Sequence, residues 1–347
     1  MAEDRPTGGK LWPPRASSHQ RPTTGAYAPA TRAMTARVPD LLHEQLHELA
    51  ALVREGEQAA AHDPALALAA AAAWLARAMA TLRRLELAGH PAREIRRLAA
   101  DLRRTAAASP FLHRAQTWPR GYPGDFEIVE QIVDGRVDAA PATWPWFLER
   151  VVLDTAMVAQ HRHKIAAQAR RIAHCTRHRP APAILALACG GARDCLHARD
   201  ALHPDTTLVL NDTDPDALAL AHRRLADTCR LHTAPGHALR CVLRLAKTEQ
   251  TFDLILIGGL FDYLADATIR RILNIIHQQL LRPGGLCMFT NIAAANPFRP
   301  LMHHLIDWPL IERTEADLTN LCSNLAREAL QIERDPTGLT LLATLTR

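Results

Sequence analysis

Ile184-Leu185-Ala186-Leu187-Ala188-Cys189-Gly190-Gly191-Ala192-Arg193-Asp194 is the stretch on which the fold turns. Ile184 to Ala188 are apolar without a break, the mark of a strand covered on both faces. A double glycine follows, and then a helical pattern begins. Glycine permits a tight turn and lets a ligand approach main-chain N–H groups with no Cβ in the way. The G-x-G-x-x-G spacing of a dinucleotide fingerprint is missing here, which argues against a pyrophosphate cradle.

Working outward, the next apolar run, Thr207–Leu210, ends in Asn211-Asp212-Thr213-Asp214-Pro215. An acid about 20 residues beyond the glycines can accept both hydroxyls of a ribose. Asp214 directly precedes Pro215 and reads as a helix cap with a first-turn proline, which leaves Asp212 for the sugar. Phe252–Ile257 is a third run and opens into Gly258-Gly259. Leu281-Arg282-Pro283-Gly284-Gly285-Leu286 reads as a turn leading into a strand, Leu286–Thr290, and Leu339–Leu345 reads as a final strand. Apolar runs alternating with helical segments predict βαβ units, hence an α/β, Rossmann-like, mostly parallel sheet of about seven strands.

Upstream the texture is different. Residues 1–37 are rich in Pro, Thr, Gly, Ser and Arg without periodicity and read as a disordered tail. Residues 38–179 read as a helical cap region, and residues 180–347 as the α/β domain. Leu41, Leu42, Leu46, Leu49, Leu52 and Val53 fall at helical spacing. Asp63-Pro64 starts a second helix that stops at Gly89, and Pro91 opens a third carrying Ile95, Leu98 and Leu102. A turn-rich stretch from Trp118 to Asp125 precedes helical patterns over Phe126–Val133 and Trp144–His178.

Of the 347 residues, 48% are hydrophobic and the net charge is +5, so the chain can bury a core and is only mildly basic. The basic residues lie on helix faces such as Arg93-Arg96-Arg97, without the aromatic interleaving of a nucleic-acid stripe, which argues against a nucleic-acid partner. All seven cysteines lie in the C-terminal half, with no CxxC pair, so neither a zinc ribbon nor a disulfide framework is expected. His161/His163 and His303-His304 lack the i, i+4 spacing of metal ligands, and no metal is expected. The alanine-rich run Pro64–Leu75 is short of a membrane span, and the N-terminus is unlike a secretory signal. These readings predict a soluble, cytoplasmic protein acting on a small molecule, and they leave a homodimer open.

The order F-D-L-I (Phe252–Ile255), helix, L-R-P-G-G (Leu281–Gly285) resembles the class I S-adenosylmethionine-dependent methyltransferase superfamily, from about Ala183 to the C-terminus. Three further stretches resemble a narrower bacterial subgroup associated with secondary metabolism or signalling. They are Arg120-Gly121-Tyr122-Pro123-Gly124-Asp125-Phe126-Glu127, Gly259-Leu260-Phe261-Asp262-Tyr263-Leu264, and Asn296–Arg299 with Asp307–Arg313. That neighbourhood includes ester-forming methyltransferases and azetidine-2-carboxylate synthases, which cyclise S-adenosylmethionine itself. The resemblance implies S-adenosylmethionine as cofactor, or as substrate in the cyclising case, and a Tyr122–Asp125 loop folded over its methionine end.

The cofactor candidates are Cys189, Gly190, Gly191, Asp194, Asp212, Thr213, His237, Ala238 and Gly258. Asp194 could meet an ammonium group or simply favour a helix N-terminus. The superfamily usually has Asp or Asn beside Ala after the third strand, to bind adenine. This chain has Pro235-Gly236-His237-Ala238 instead. The catalytic candidates are Tyr122, Asp125, Asp262, Tyr263 and Asn291. Asp262 and Asn291 sit at strand ends, where open α/β sheets bind ligands, and a tyrosine face can meet a sulfonium by cation–π attraction.

Overall fold

The structure, a computed structural model, describes residues 38–325 and 330–347; the expected tail, 1–37, lies outside the described residues. Eight helices precede the first described strand: α1 (Val38–Ala59), α2 (Pro64–Leu87), α3 (Ala92–Leu98), α4 (Ala100–Ala106), α5 (Pro110–Thr117), α6 (Phe126–Asp134), α7 (Trp144–Leu153) and α8 (Ala156–His178). Capping chemistry sets several ends. Asp63 accepts the Leu66 N–H ahead of Pro64, and Ser109 accepts the Leu112 N–H ahead of Pro110. Asp125 accepts the N–H groups of Glu127 and Ile128, and left-handed Gly135 closes the same helix.

Two helical patterns read as continuous are broken. The segment opened by Pro91 is α3 and α4, interrupted at Ala99. Trp144–His178 is α7 and α8, interrupted at Asp154-Thr155.

The strands are β1 (Ala183–Leu187), β2 (Thr207–Asn211), β3 (Arg230–Thr233), β4 (Phe252–Ile257), β5 (Leu281–Ile292), β6 (Leu330–Arg334) and β7 (Thr340–Thr346). They form one sheet in the order β3-β2-β1-β4-β5-β7-β6. The first five run parallel, β7 is antiparallel to β5, and β6 is antiparallel to β7. The helices α9 (Arg193–His197), α10 (Pro215–Leu225), α11 (Ala238–Leu245), α12 (Asp266–Ile275) and α13 (Glu315–Leu321) fall between strands. Strand order reverses between β1 and β4, which opens a crevice at their carboxyl ends. Leu281–Leu286 belongs to β5 and is not a free turn. Gly284, at φ +69°, donates its N–H to the carbonyl of Arg347, and the register against β4 shifts between Phe252 and Leu254.

The helical and sheet regions interlock. Leu301, Met302, Leu305, Ile306 and Trp308, which follow β5, share a core with Trp74, Leu82, Phe111 and Leu148 of the N-terminal helices. Conversely Ala167, Ala169 and Ile172 of α8 pack with Ile184 of β1 and Leu208 of β2. Each large side chain buried this way contributes roughly 1.5–3 kcal/mol. Helix α2 is 24 residues long and apolar enough in composition to cross a membrane, beyond what its apolar run implied. It also buries Trp74, Leu75, Leu82 and Leu85 in this core.

Candidate active site

A cavity of about 1610 Å³ opens over the carboxyl ends of β1, β2 and β4. It is larger than the roughly 300–1,000 Å³ of a usual ligand pocket, leaving room for two molecules side by side. Its walls differ in construction.

One wall is the turn after β1. Ala188, Gly190 and Ala192 all have positive φ (+50°, +53° and +52°). Left-handed backbone is costly for alanine, so the surroundings hold this turn in place. Asp212 supplies much of that hold: one carboxylate oxygen accepts the Gly190 N–H at 2.8 Å and the other the Asp214 N–H at 2.9 Å. Burial pushes the Asp212 carboxyl up, and those N–H donors oppose the shift. Two contacts leave further lone pairs for a ligand hydroxyl. Asp194 is buried, with its carboxyl raised by burial and eased by the Cys195 N–H at 2.8 Å. Cys189, Gly191, Thr213, His237 and Gly258 line the same wall. His237 carries a buried Nδ1 with no hydrogen-bond partner.

A strap covers this wall. Glu130 of α6 binds Arg193 and Arg224, each at 2.5 Å, and Arg224 also donates to the carbonyl of Gly191 at 2.9 Å. Burial alone would raise the Glu130 carboxyl, but Arg224 and Arg193 hold it below the usual range. A Cβ at Gly191 would sit 2.4 Å from a Glu130 oxygen. Arg120 binds Asp214 and Asp216, both at 3.0 Å, with its guanidinium 4.4 Å from the centre of the Phe126 ring.

The other wall is assembled from distant segments. His161, Lys164, Ile165 and Gln168 project from one face of α8, at i, i+3, i+4 and i+7. Opposite them stand Asp262, Tyr263, Leu264, Trp308 and Leu310. Trp308 donates its indole N–H to the Tyr263 hydroxyl at 2.7 Å and lies 5.6 Å, ring to ring, from His161. The Tyr122–Gly124 loop closes onto them. A Cβ at Gly124 (φ +65°) would come within 2.4 Å of Trp308. Tyr122 directs its hydroxyl to Asp214 at 3.4 Å. Asp262 accepts the Ile292 N–H at 2.6 Å, and burial pushes its carboxyl to about 6 despite the nearby Lys164. Burial first, then Lys164 and Arg162, hold His161 well below its usual value, so that imidazole is neutral.

Three candidate residues are not on the cavity wall. Asp125 is spent on capping α6 and on Arg114 at 2.9 Å. Asn291 donates to the carbonyls of Ile292 and Ile311 and accepts from Arg313 at 2.6 Å, tying β5 to the segment beyond it. Ala238 faces the apolar core beside Cys241 and Val242. Conversely, the sequence reading passed over His161, Lys164, Gln168 and Trp308. The available signal was three polar residues on the α8 stripe that also carries Ile165 and Ile172. Among the described residues, no group of three or more His, Cys, Asp or Glu side chains is arranged to hold a metal.

Residues 185–287 match the family Methyltransf_12, a methyltransferase domain. No curated protein matches the chain. Among solved structures, a possible exported protein from Bordetella parapertussis is similar at 22% identity and a TM-score of 0.53, over 92% of this chain and 99% of that one. The N-methyltransferase NodS from Bradyrhizobium japonicum WM9, in complex with S-adenosyl-L-homocysteine, is 19% identical over 64% of this chain and 97% of its own, with a TM-score of 0.40. The pyocyanin biosynthetic protein PhzM is 16% identical over 69% of this chain and 70% of its own, also with a TM-score of 0.40.

Proposed function

We propose, from the premise that the α/β part is a class I S-adenosylmethionine-dependent methyltransferase domain, that the chain methylates a small molecule held in this cavity. The observation that carries this reading is the meeting of the glycine turn, Asp212 and a second, separately built wall in one space. The residues present fit the cofactor. Gly190 gives backbone access, Asp212 retains acceptor capacity for a ribose, and His237 lines the cavity on the same side, where its imidazole would meet a base edge. The cofactor supplies a methyl group made electrophilic by its sulfonium.

What the chain contributes is placement. The cavity holds an acceptor beside the cofactor, so orientation supplies much of the rate. The Tyr122–Gly124 loop and Trp308 exclude water on the far side. Tyr122 and Tyr263 offer aromatic faces to a cation. Thr213, Cys189 and Gly258 shape the cofactor wall, and Asp262 faces the acceptor. The compartment we assign is the cytoplasm, with secondary metabolism or signalling as the setting.

Self-cyclisation of S-adenosylmethionine needs its amine neutral, in a site that depresses the amine's pKa by burial and does not pair it with carboxylates. Asp194, Asp212 and Asp262 all line this cavity, so methyl transfer is the reading put forward.

The deciding experiment incubates purified protein with S-adenosylmethionine and identifies the nucleoside product by mass spectrometry. S-adenosylhomocysteine, formed only once a small-molecule extract is added, is the expected result. Methylthioadenosine formed from S-adenosylmethionine alone would overturn it.

A further inference from the structure

Lys164 is one of only three lysines in the chain. It is 8% exposed, yet it lines the cavity from the inner face of α8. Among the described residues no carboxylate lies within ion-pairing distance of its Nζ, and no hydrogen bond to it is recorded. The nearest acidic influences are Asp262 and Asp335, which pull its pKa up while burial, the larger effect, pulls it down. Asp262 already spends one oxygen on the Ile292 N–H. Asp335 accepts from Thr337, Leu339, Thr340 and His163. Nζ lies 3.0 Å from where a Cβ would stand on Gly259, so glycine there leaves it a clear line into the cavity.

A mostly buried lysine whose ammonium meets the cavity without a partner is a place for an anion to bind. The other cavity-facing groups of α8 do not provide that charge, because His161 is neutral and Gln168 is an amide. The cofactor's sulfonium adds a second positive charge to the same space, which strengthens the demand.

We infer that Lys164 is the acceptor-binding residue of the site, and that the acceptor carries one singly charged oxygen anion, a carboxylate or phenolate, on an otherwise apolar body. A single lysine opposite Asp262 suits a monoanion: a phosphate dianion would meet repulsion from that carboxylate, and of the arginines on the cavity wall Arg114, Arg120 and Arg193 are already paired with carboxylates while Arg240 lies near His237. The apolar body follows from Ile165, Leu264, Trp308 and Leu310, which line the same cavity. This inference rests on the methyltransferase reading above and adds the substrate class.

The test uses full-length protein loaded with S-adenosylhomocysteine, probed by calorimetry with octanoate, benzoate and 4-nitrophenolate, and with octanamide and benzamide as neutral counterparts. At least one anion should bind tenfold or more tightly than the amides. Lys164→Met should abolish that preference while S-adenosylhomocysteine affinity stays within twofold. Octanoate and benzoate against 4-nitrophenolate decide between the two anion types. Equal binding of anions and amides by the wild type, or no binding of either, overturns the inference without recourse to the variant. A tenfold loss of S-adenosylhomocysteine binding in Lys164→Met also overturns it, by giving the lysine to the cofactor. Failure of the wild type to bind S-adenosylhomocysteine at all would instead remove the methyltransferase reading beneath it.

Discussion

The two walls of the cavity are built by opposite strategies. The cofactor wall is largely backbone and comes from short, contiguous stretches: the turn 188–194 and the strand end 211–214. The acceptor wall depends largely on side chains, gathered from α8, the loop at 122–124, residues 260–264, Trp308 and Leu310. A wall of backbone is fixed by local turn chemistry and tolerates change poorly. A wall of side chains can be respecified residue by residue, so the difference separates what must stay constant from what can set specificity.

The hardest test of that contrast is Asp212→Ala. It strands the Gly190 and Asp214 N–H groups and removes the proposed ribose acceptor. Stranding the two N–H groups should cost stability, at about 1–3 kcal/mol each, and losing hydrogen bonds from the ribose to a charged group, about 1.5–3 kcal/mol, should lower cofactor affinity roughly 10- to 150-fold. Calorimetry with S-adenosylhomocysteine reads this directly. An affinity loss below threefold would mean that the carboxylate does not hold the ribose.

Next comes the strap. Glu130→Gln breaks a mostly buried ion-pair cluster and leaves Arg193 and Arg224 facing a neutral amide, at a cost of about 3 kcal/mol in stability. The sign follows from a carboxyl held below its usual 4.5. Its stabilisation is fully present above that value and is lost as pH falls through the lower folded value. Denaturant melts should therefore show wild type and variant converging in acid. Parallel pH curves would disprove the assignment.

Legibility in the sequence follows the same division. The α/β fold and the positions of its buried strands were readable because β1, β2 and β4 are dominated by apolar runs. β3 and β6 were not, because their side chains are largely exposed and mixed in polarity. Gly190 and Asp212 were each readable as candidates because each sits in a local motif with its own turn chemistry, whereas the hydrogen bond that joins them comes only with the fold. Asp125 stands off the cavity wall, as cap of α6 and partner of Arg114: the cap-plus-helix pattern Asp125-Phe126-Glu127 is local, whereas its motif context pointed toward the substrate. Lys164 and His161 went unread because only the tertiary fold turns that face of α8 toward a cavity.

Asp125→Ala sharpens this point. Loss of the cap and of the Arg114 pair should cost about 2 kcal/mol of stability. Cofactor affinity should remain within threefold. A large affinity loss in a fully folded variant would return Asp125 to the site.

Asp262→Asn probes the acceptor wall with a smaller effect. An acid raised from 3.8 to about 6 holds its proton in the folded state, so wild-type stability declines as pH rises through that interval. Asparagine keeps an oxygen for the Ile292 N–H and escapes the decline. The variant should therefore gain on the wild type by on the order of 1 kcal/mol between pH 5 and pH 8. A pH-independent difference would show that Asp262 titrates normally.

Tyr122→Phe should change least, and it separates the two parts of one side chain. The hydroxyl's bond to Asp214 is long, 3.4 Å, and Asp214 is already held by Arg120 at 3.0 Å. Removing the hydroxyl should alter stability and S-adenosylhomocysteine affinity by less than threefold, because a bond of that length contributes little. The ring remains, and with it any attraction to a sulfonium, which the sulfide of S-adenosylhomocysteine lacks. Tyr122→Leu should consequently weaken S-adenosylmethionine more than S-adenosylhomocysteine, whereas Tyr122→Phe leaves their ratio alone. If leucine weakens both equally, the loop over the cofactor acts by shape alone, and the two walls differ in composition but not in electrostatic role.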